Sequence, residues 1–304
     1  MKASKKLIGA IAALTVAASL TVGTTFAWFS SQASVSTENI GMNVTSGSDT
    51  LQIAVLAKDA AESTANFKYV LSAEEVKAAM GAVTYTALTS ADDGKTITEK
   101  GGAAATGGYA EFKFVFRTTM ENAKLILSDT AAVTASTTTN TITWQEWEQD
   151  EYKNKDYGTT ITAGAINTKA AYASRIAFLE GTNAKVWAPY EELGTGADAT
   201  NTNDAPAGYY KENLASDYNI SKGVADATAV TAQPMTNRVY RAKDAATNDA
   251  VNVIAAFPTA KMGDFYQLTV TVKIWLEGTD GDCLDAILSD MFGVAFGFRA
   301  ATVS

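Results

Sequence analysis

The chain has 304 residues, with 24 basic and 33 acidic side chains, one cysteine and no histidine. Its net charge of −9 repels nucleic acid and anionic lipid, and no basic cluster offsets that. The missing histidine excludes Ser-His and Cys-His catalysis, histidine zinc sites and the HExxH protease motif.

The first thirty residues set the context for the rest. Lys2, Lys5 and Lys6 precede an uncharged run from Leu7 to Phe26, which ends at Ala27-Trp28-Phe29-Ser30. A basic start, an apolar middle and small residues at the exit (Thr25 and Ala27) read as a secretory signal peptide over residues 1–27. Cleavage falls between Ala27 and Trp28, with a cut before Phe29 as the alternative. A retained anchor or pilin-like helix competes, because about 20 uncharged residues can span a bilayer. Gly9, Thr15, Ser19, Thr21, Gly23, Thr24 and Thr25 dilute the run and weaken that rival. A lipoprotein signal needs a cysteine at the cut, and the only one is Cys283. The membrane is therefore met only through the uncleaved signal. Removing 27 of 304 residues takes three lysines, so the remainder carries 21 basic and 33 acidic residues. With an apolar fraction of 47% it has the composition of a packed domain, over residues 28–304. One cysteine closes no intrachain disulfide, so stability outside the cell must come from burial, ions or assembly.

Residues 28–45 read as an extended arm. Phe29, Ala33 and Val35 fall on its odd, more apolar face, while Ser30, Gln32, Ser34 and Ser36 fall on the other. This is either an ordinary first strand or a strand lent to a neighbouring molecule. Leu51–Leu56 is a short apolar strand. Ser72-Ala73-Glu74-Glu75 is a capping box opening a helix with Val76, Ala79 and Met80 on its apolar side and Gly81 as its stop. Val83–Leu88 and Thr96–Glu99 read as strands around the Asp92-Asp93-Gly94 turn.

After a Gly/Ala loop comes the strand Tyr109–Arg117, with Phe112, Phe114 and Phe116 alternating as a core wall. Lys124–Leu127 and Ala171–Leu179 are further strands, and Val186-Trp187-Ala188-Pro189 resumes after the turn at Glu180-Gly181-Thr182-Asn183. Residues 190–233 are poor in large aliphatics and read as a surface insertion. Arg238–Tyr240, Val251–Phe257 and Phe265–Leu276 follow as strands. Asp282 opens a short helix through Cys283, Leu284, Ile287 and Leu288. One closing strand places Phe292, Val294, Phe296 and Phe298 on one face and Gly293, Ala295, Gly297 and Arg299 on the other. Ile176–Asn183 echoes Ile274–Asp280, each a strand ending in an acidic-Gly turn. Many short strands with few helices and four prolines predict an all-β fold: an antiparallel sandwich or jelly roll with a few short helices and long surface insertions.

Two clusters are candidate sites. Glu277, Asp280, Asp282 and Asp285 crowd four carboxylates into nine residues, the oxygen chemistry calcium takes, although the spacing is not that of an EF-hand. A solvated turn with a helix cap is the simpler account, and no other cofactor is expected. Trp144, Trp147 and Tyr152 lie among Glu146, Glu148, Asp150 and Glu151, where rings can stack on sugars or pack inward. No pair of carboxylates stands out as catalytic, and no enzyme is expected.

The lysine-led signal, the Thr24-Thr25-Phe26-Ala27-Trp28-Phe29-Ser30 junction and the β pattern resemble the TasA/camelysin family of secreted Gram-positive proteins. In that family the cut lies in an aromatic–small–aromatic junction, matched here by Phe26-Ala27-Trp28-Phe29. The Ile274-Trp275-Leu276-Glu277-Gly278 strand end and Cys283 are similar to a feature of its clostridial relatives. The resemblance implies export by a dedicated signal peptidase and a jelly-roll domain. It also implies biofilm-matrix fibres in which each subunit's N-terminal strand completes its neighbour's sheet. Residues 29–40 match that donor in position and alternation. Camelysin is described as a metalloprotease, a role this chain lacks the histidines for. The expectation is a secreted matrix or surface protein forming homo-oligomeric filaments. The alternative is a monomeric surface module binding glycan or another extracellular ligand.

Overall fold

The computed structural model describes residues 35–36, 51–90, 94–99, 103–137, 140–144, 147–148, 160–161, 164–191, 237–278, 283 and 290–303. In chain order the strands begin with β1 (Val35–Ser36) and β2 (Gln52–Ala57), followed by helix α1 (Ala73–Met80). Next come β3 (Thr84–Tyr85), β4 (Ala87–Ser90), β5 (Ile97–Thr98), β6 (Ala110–Thr118), β7 (Lys124–Leu127) and β8 (Ala132–Ala135). β9 (Asn140–Trp144), β10 (Trp147–Glu148), β11 (Thr160–Ile161) and β12 (Gly164–Thr168) form two small antiparallel ladders, β9 with β12 and β10 with β11. The remainder are β13 (Ser174–Glu180), β14 (Asn183–Trp187), β15 (Val253–Ala256), β16 (Tyr266–Glu277), β17 (Phe292–Ala295) and β18 (Phe298–Ala301). The fold is all-β, as the alternation predicts.

β16 is the spine of the larger sheet. Its residues Leu268, Val270, Val272, Ile274 and Leu276 alternate with Thr269, Thr271, Lys273 and Trp275, and all five are buried on one face. It pairs antiparallel with β13 on one side (Ile176 opposite Ile274) and with β6 on the other (Phe114 opposite Val270). β14 continues the sheet beyond β13, and β2 continues it beyond β6. Where β6 ends, β4 takes its place beside the last residues of β16, in parallel, and carries β5.

The second layer is built from β15-β7-β18 and from β8 with β17. Phenylalanines join the two layers. Phe296 and Phe298 stack at 5.8 Å and meet Phe112, Phe114, Phe116 and Phe178 of the large sheet edge-on at 4.9–6.3 Å. One buried cluster runs through this interface from Leu51 to Ala300, which makes the arrangement a β-sandwich.

Two chain segments cover the outer face of the large sheet. Ala60, Ala65 and Phe67 lie over Ala54, Leu56 and Val115. Leu88, Ile97 and Ala105 lie over Trp275, Ala177 and Val186. Gly94 lets the second cover close: its φ is +93°, and a Cβ there would stand 2.7 Å from the Ala177 Cβ. Gly94 of the expected turn is thus folded against the sheet, while Asp92 and Asp93 lie outside the described residues. The capping box forms as expected, with the Glu75 N–H donating to Ser72 Oγ (3.3 Å) and the Ser72 N–H donating to Glu75 Oε2 (2.9 Å).

Several expectations are corrected. The closing strand is two strands in different ladders: β17 pairs with β8 and β18 with β7. The chain changes partner at Gly297, where a Cβ would meet Thr130 Oγ1 at 2.0 Å. Residues 170–173 form a turn, so the strand read from Ala171 starts only at Ser174. Arg238–Tyr240 is an irregular strap whose Arg238 makes a single parallel bridge to Val186. Val251 lies in a 3-10 turn ahead of β15. Most of the helix expected from Asp282 and all of 192–233 lie outside the described residues.

Candidate assembly surface

A sandwich exposes its function at its edges, because an edge strand carries backbone N–H and C=O groups that another strand can pair with. At two edges of the large sheet the chain bridges its own edge strand. At β2, the Ile53 N–H donates to the Lys68 carbonyl (2.7 Å) and the Lys68 N–H to the Ile53 carbonyl (2.8 Å). That return segment is pinned by Arg117, whose guanidinium lies between the rings of Phe67 (4.1 Å) and Phe265 (4.4 Å). At β14, the Val186 N–H donates to the Asn237 carbonyl and the Val239 N–H to the Val186 carbonyl. The strap then crosses to the second layer, where the Ala242 N–H donates to the Leu127 carbonyl. The Arg238-Val239-Tyr240 run is therefore an edge guard, a role its apolar pattern does not distinguish from that of a strand.

The arm behaves differently. Val35 pairs with Tyr85 and Ser36 with Thr84, a ladder of two residue pairs that belongs to neither layer. Phe29 and Ala33 of the expected donor, and the Ala27-Trp28 cut, lie outside the described residues. Tyr85 is fully buried, its ring 5.6 Å from that of Phe292 at the start of β17. Its hydroxyl has no hydrogen-bond partner, and burial pushes the phenol's pKa well above its ordinary value. Nothing in the sequence marks Tyr85, because the apolar surroundings come from distant strands.

Comparison with protein-family models, with curated proteins and with solved structures found no match.

The other sequence-derived candidates separate. Glu277 is buried at the end of β16, where its carboxylate accepts the indole N–H of Trp275 at 3.1 Å. It is thus no solvated turn residue, while Asp280, Asp282 and Asp285 lie outside the described residues. Cys283 is buried. Among the described residues no three His, Cys, Asp or Glu side chains gather as a metal site. Trp144 and Trp147 fall on separate ladders, β9 and β10, opposite Gly164 and Ile161, and Tyr152 is outside the described residues. Among the described residues no helix is long and apolar enough to cross a membrane.

Arg175 and Arg299 are both buried. Arg175 on β13 donates to the carbonyls of Tyr172 (3.3 Å) and Ser174 (3.0 Å). Arg299 on β18 donates to the carbonyls of Asp244, Ala245 and Thr247 and so gathers a loop over the second layer. The Asp244 carboxylate closes the same loop through the N–H groups of Ala246 (2.8 Å) and Thr247 (3.0 Å), which hold its pKa below the ordinary carboxylate value.

Proposed function

We propose that the protein is a secreted structural subunit of an extracellular or biofilm-matrix fibre, in which residues 29–40 of one copy add a strand to the sheet of the next. What carries this is the position of the arm. Its described residues pair with a two-residue strand outside both layers, while edge strands β2 and β14 of the larger sheet are each bridged by their own chain. The two residue pairs described for the arm can be exchanged for the same backbone bonds made to a neighbour.

Export supports the same role. A lysine-led signal, one cysteine and no histidine describe a protein that works outside the cell without disulfides or histidine chemistry. The junction at Phe26-Ala27-Trp28-Phe29 resembles that of the TasA/camelysin proteins. The partner is a second copy of the same chain, and signal peptidase acts only during export.

The test uses the secreted form beginning at Trp28. Negative-stain microscopy should show filaments, and removal of residues 28–40 should leave a folded monomer that forms none. Filaments from the truncated protein would rule the proposal out. Mass spectrometry of the exported chain should find Trp28 at its start, and retention of Met1 or Lys2 would assign an anchored protein instead.

A further inference from the structure

We infer that the Thr84–Tyr85 edge serves twice: it seats the chain's own arm in the free subunit, and it receives a neighbour's arm in the fibre. Each subunit thereby holds its own assembly in check until arms exchange. The inference rests on the fibre assembly proposed above and names its acceptor and its resting state.

Pairing defines the seat. Val35 stands opposite Tyr85 and Ser36 opposite Thr84, antiparallel. Among the described residues β3 has no other strand partner, so its edge is either filled by an arm or bare. The surroundings of β3 hold it in place. Tyr85 is fully buried, with its ring 5.6 Å from that of Phe292. One residue on, the Thr86 N–H donates to the Gly108 carbonyl at 3.1 Å, and Ala87 then pairs with Leu276 of β16. An edge anchored on both layers keeps its shape when an arm leaves, so a second arm meets a ready-made partner.

The arm can serve either seat. Residues 37–50 tie it to the body, and at about 3.3 Å per residue they can reach on the order of 45 Å. Backbone bonds to Thr84 and Tyr85 are the same whichever copy supplies the arm, the condition for swapping an element between identical chains. A swap that hands each arm to the next copy need not close on itself, and it then grows a filament. In dilute protein the tethered arm fills its own seat by proximity. The free subunit therefore stays monomeric, and assembly begins when concentration lets a neighbour's arm compete.

The experiment uses the secreted form beginning at Trp28 in a Cys283→Ala background, which removes the only native thiol. Opposed Cα atoms of an antiparallel pair lie about 4.5–5.5 Å apart, within the span of a disulfide. The Ser36→Cys/Thr84→Cys double variant, oxidised while dilute, should close an intrachain disulfide. Its filament yield should then fall about tenfold or more, and reductant should restore it. Ser36→Cys protein mixed with Thr84→Cys protein, assembled under reductant and then oxidised, should give a disulfide-linked heterodimer. Filaments of the mixture without that heterodimer, or no intrachain disulfide in the dilute double variant, would overturn the shared seat and leave the fibre proposal standing. Filaments at wild-type yield from the locked protein, or none from the wild type, would overturn both.

Discussion

The indole N–H of Trp275 donates to the carboxylate of Glu277 two residues along β16, and Arg175 stands directly opposite Trp275 on β13. Opposed residues share a face, and so do residues two apart on a strand, so the register gathers all three on one side of the sheet. Each is buried. An acid and a base removed from water together offset one another's desolvation; either alone is costly.

Arg175→Met or Glu277→Leu alone should therefore lower stability by about 3–5 kcal/mol, and the double variant should recover most of the loss. Guanidinium unfolding of the three variants measures this. Losses that simply add in the double variant would show that the two charges do not compensate one another.

Gly94 is the second test, because it fits the cover over Trp275 into place. Its φ of +93° and a Cβ position 2.9 Å from Val186 Cγ2 leave no room for a side chain. Gly94→Ala should cost about 2–4 kcal/mol by combined strain and overpacking. The emission of Trp275 should move to the red as its cover lifts, while Gly181→Ala, at a turn with open space around it, should leave it unchanged. An unshifted spectrum in Gly94→Ala would mean that the cover adjusts without opening.

Local chemistry explains which elements the sequence reveals. Phe112, Phe114 and Phe116 announce a buried face because a period of two is a property of one strand alone. Ser72 and Glu75 announce a helix start because the box closes over three residues. Partner choice is not local. The run from Phe292 to Phe298 keeps its alternation across a change of partner, so the break at Gly297 depends on Thr130, far away in sequence. Glu180 and Glu277 end echoing strands, yet Glu180 sits on a hairpin bonded to Asn183 while Glu277 is buried where β4 pairs with the end of β16. The arm shows its apolar face in the sequence, but its pairing with Thr84 and Tyr85 arises only from the assembled structure.

Tyr85 gives the third prediction. Its hydroxyl is buried without a partner, so Tyr85→Phe should raise stability at pH 7 by about 1 kcal/mol, the low end of an unsatisfied group's cost. The pH dependence has a definite sign. Burial raises the phenol's pKa in the folded state, whereas the unfolded chain releases its proton near the ordinary value of 10.0. Stability owed to this group is therefore intact below pH 10 and falls as the pH rises through the alkaline range, since only the unfolded form gains by ionising. Tyr85→Phe should flatten that decline. Tyr109, raised first by burial and then by the neighbouring Glu111, contributes a smaller slope that Tyr109→Phe removes separately. Urea midpoints at pH 7 and about pH 11, above the reference pKa of tyrosine, decide the matter. A Tyr85→Phe protein less stable than the wild type at pH 7 would mean that the hydroxyl has found a partner in solution, and the arm is then the first place to look.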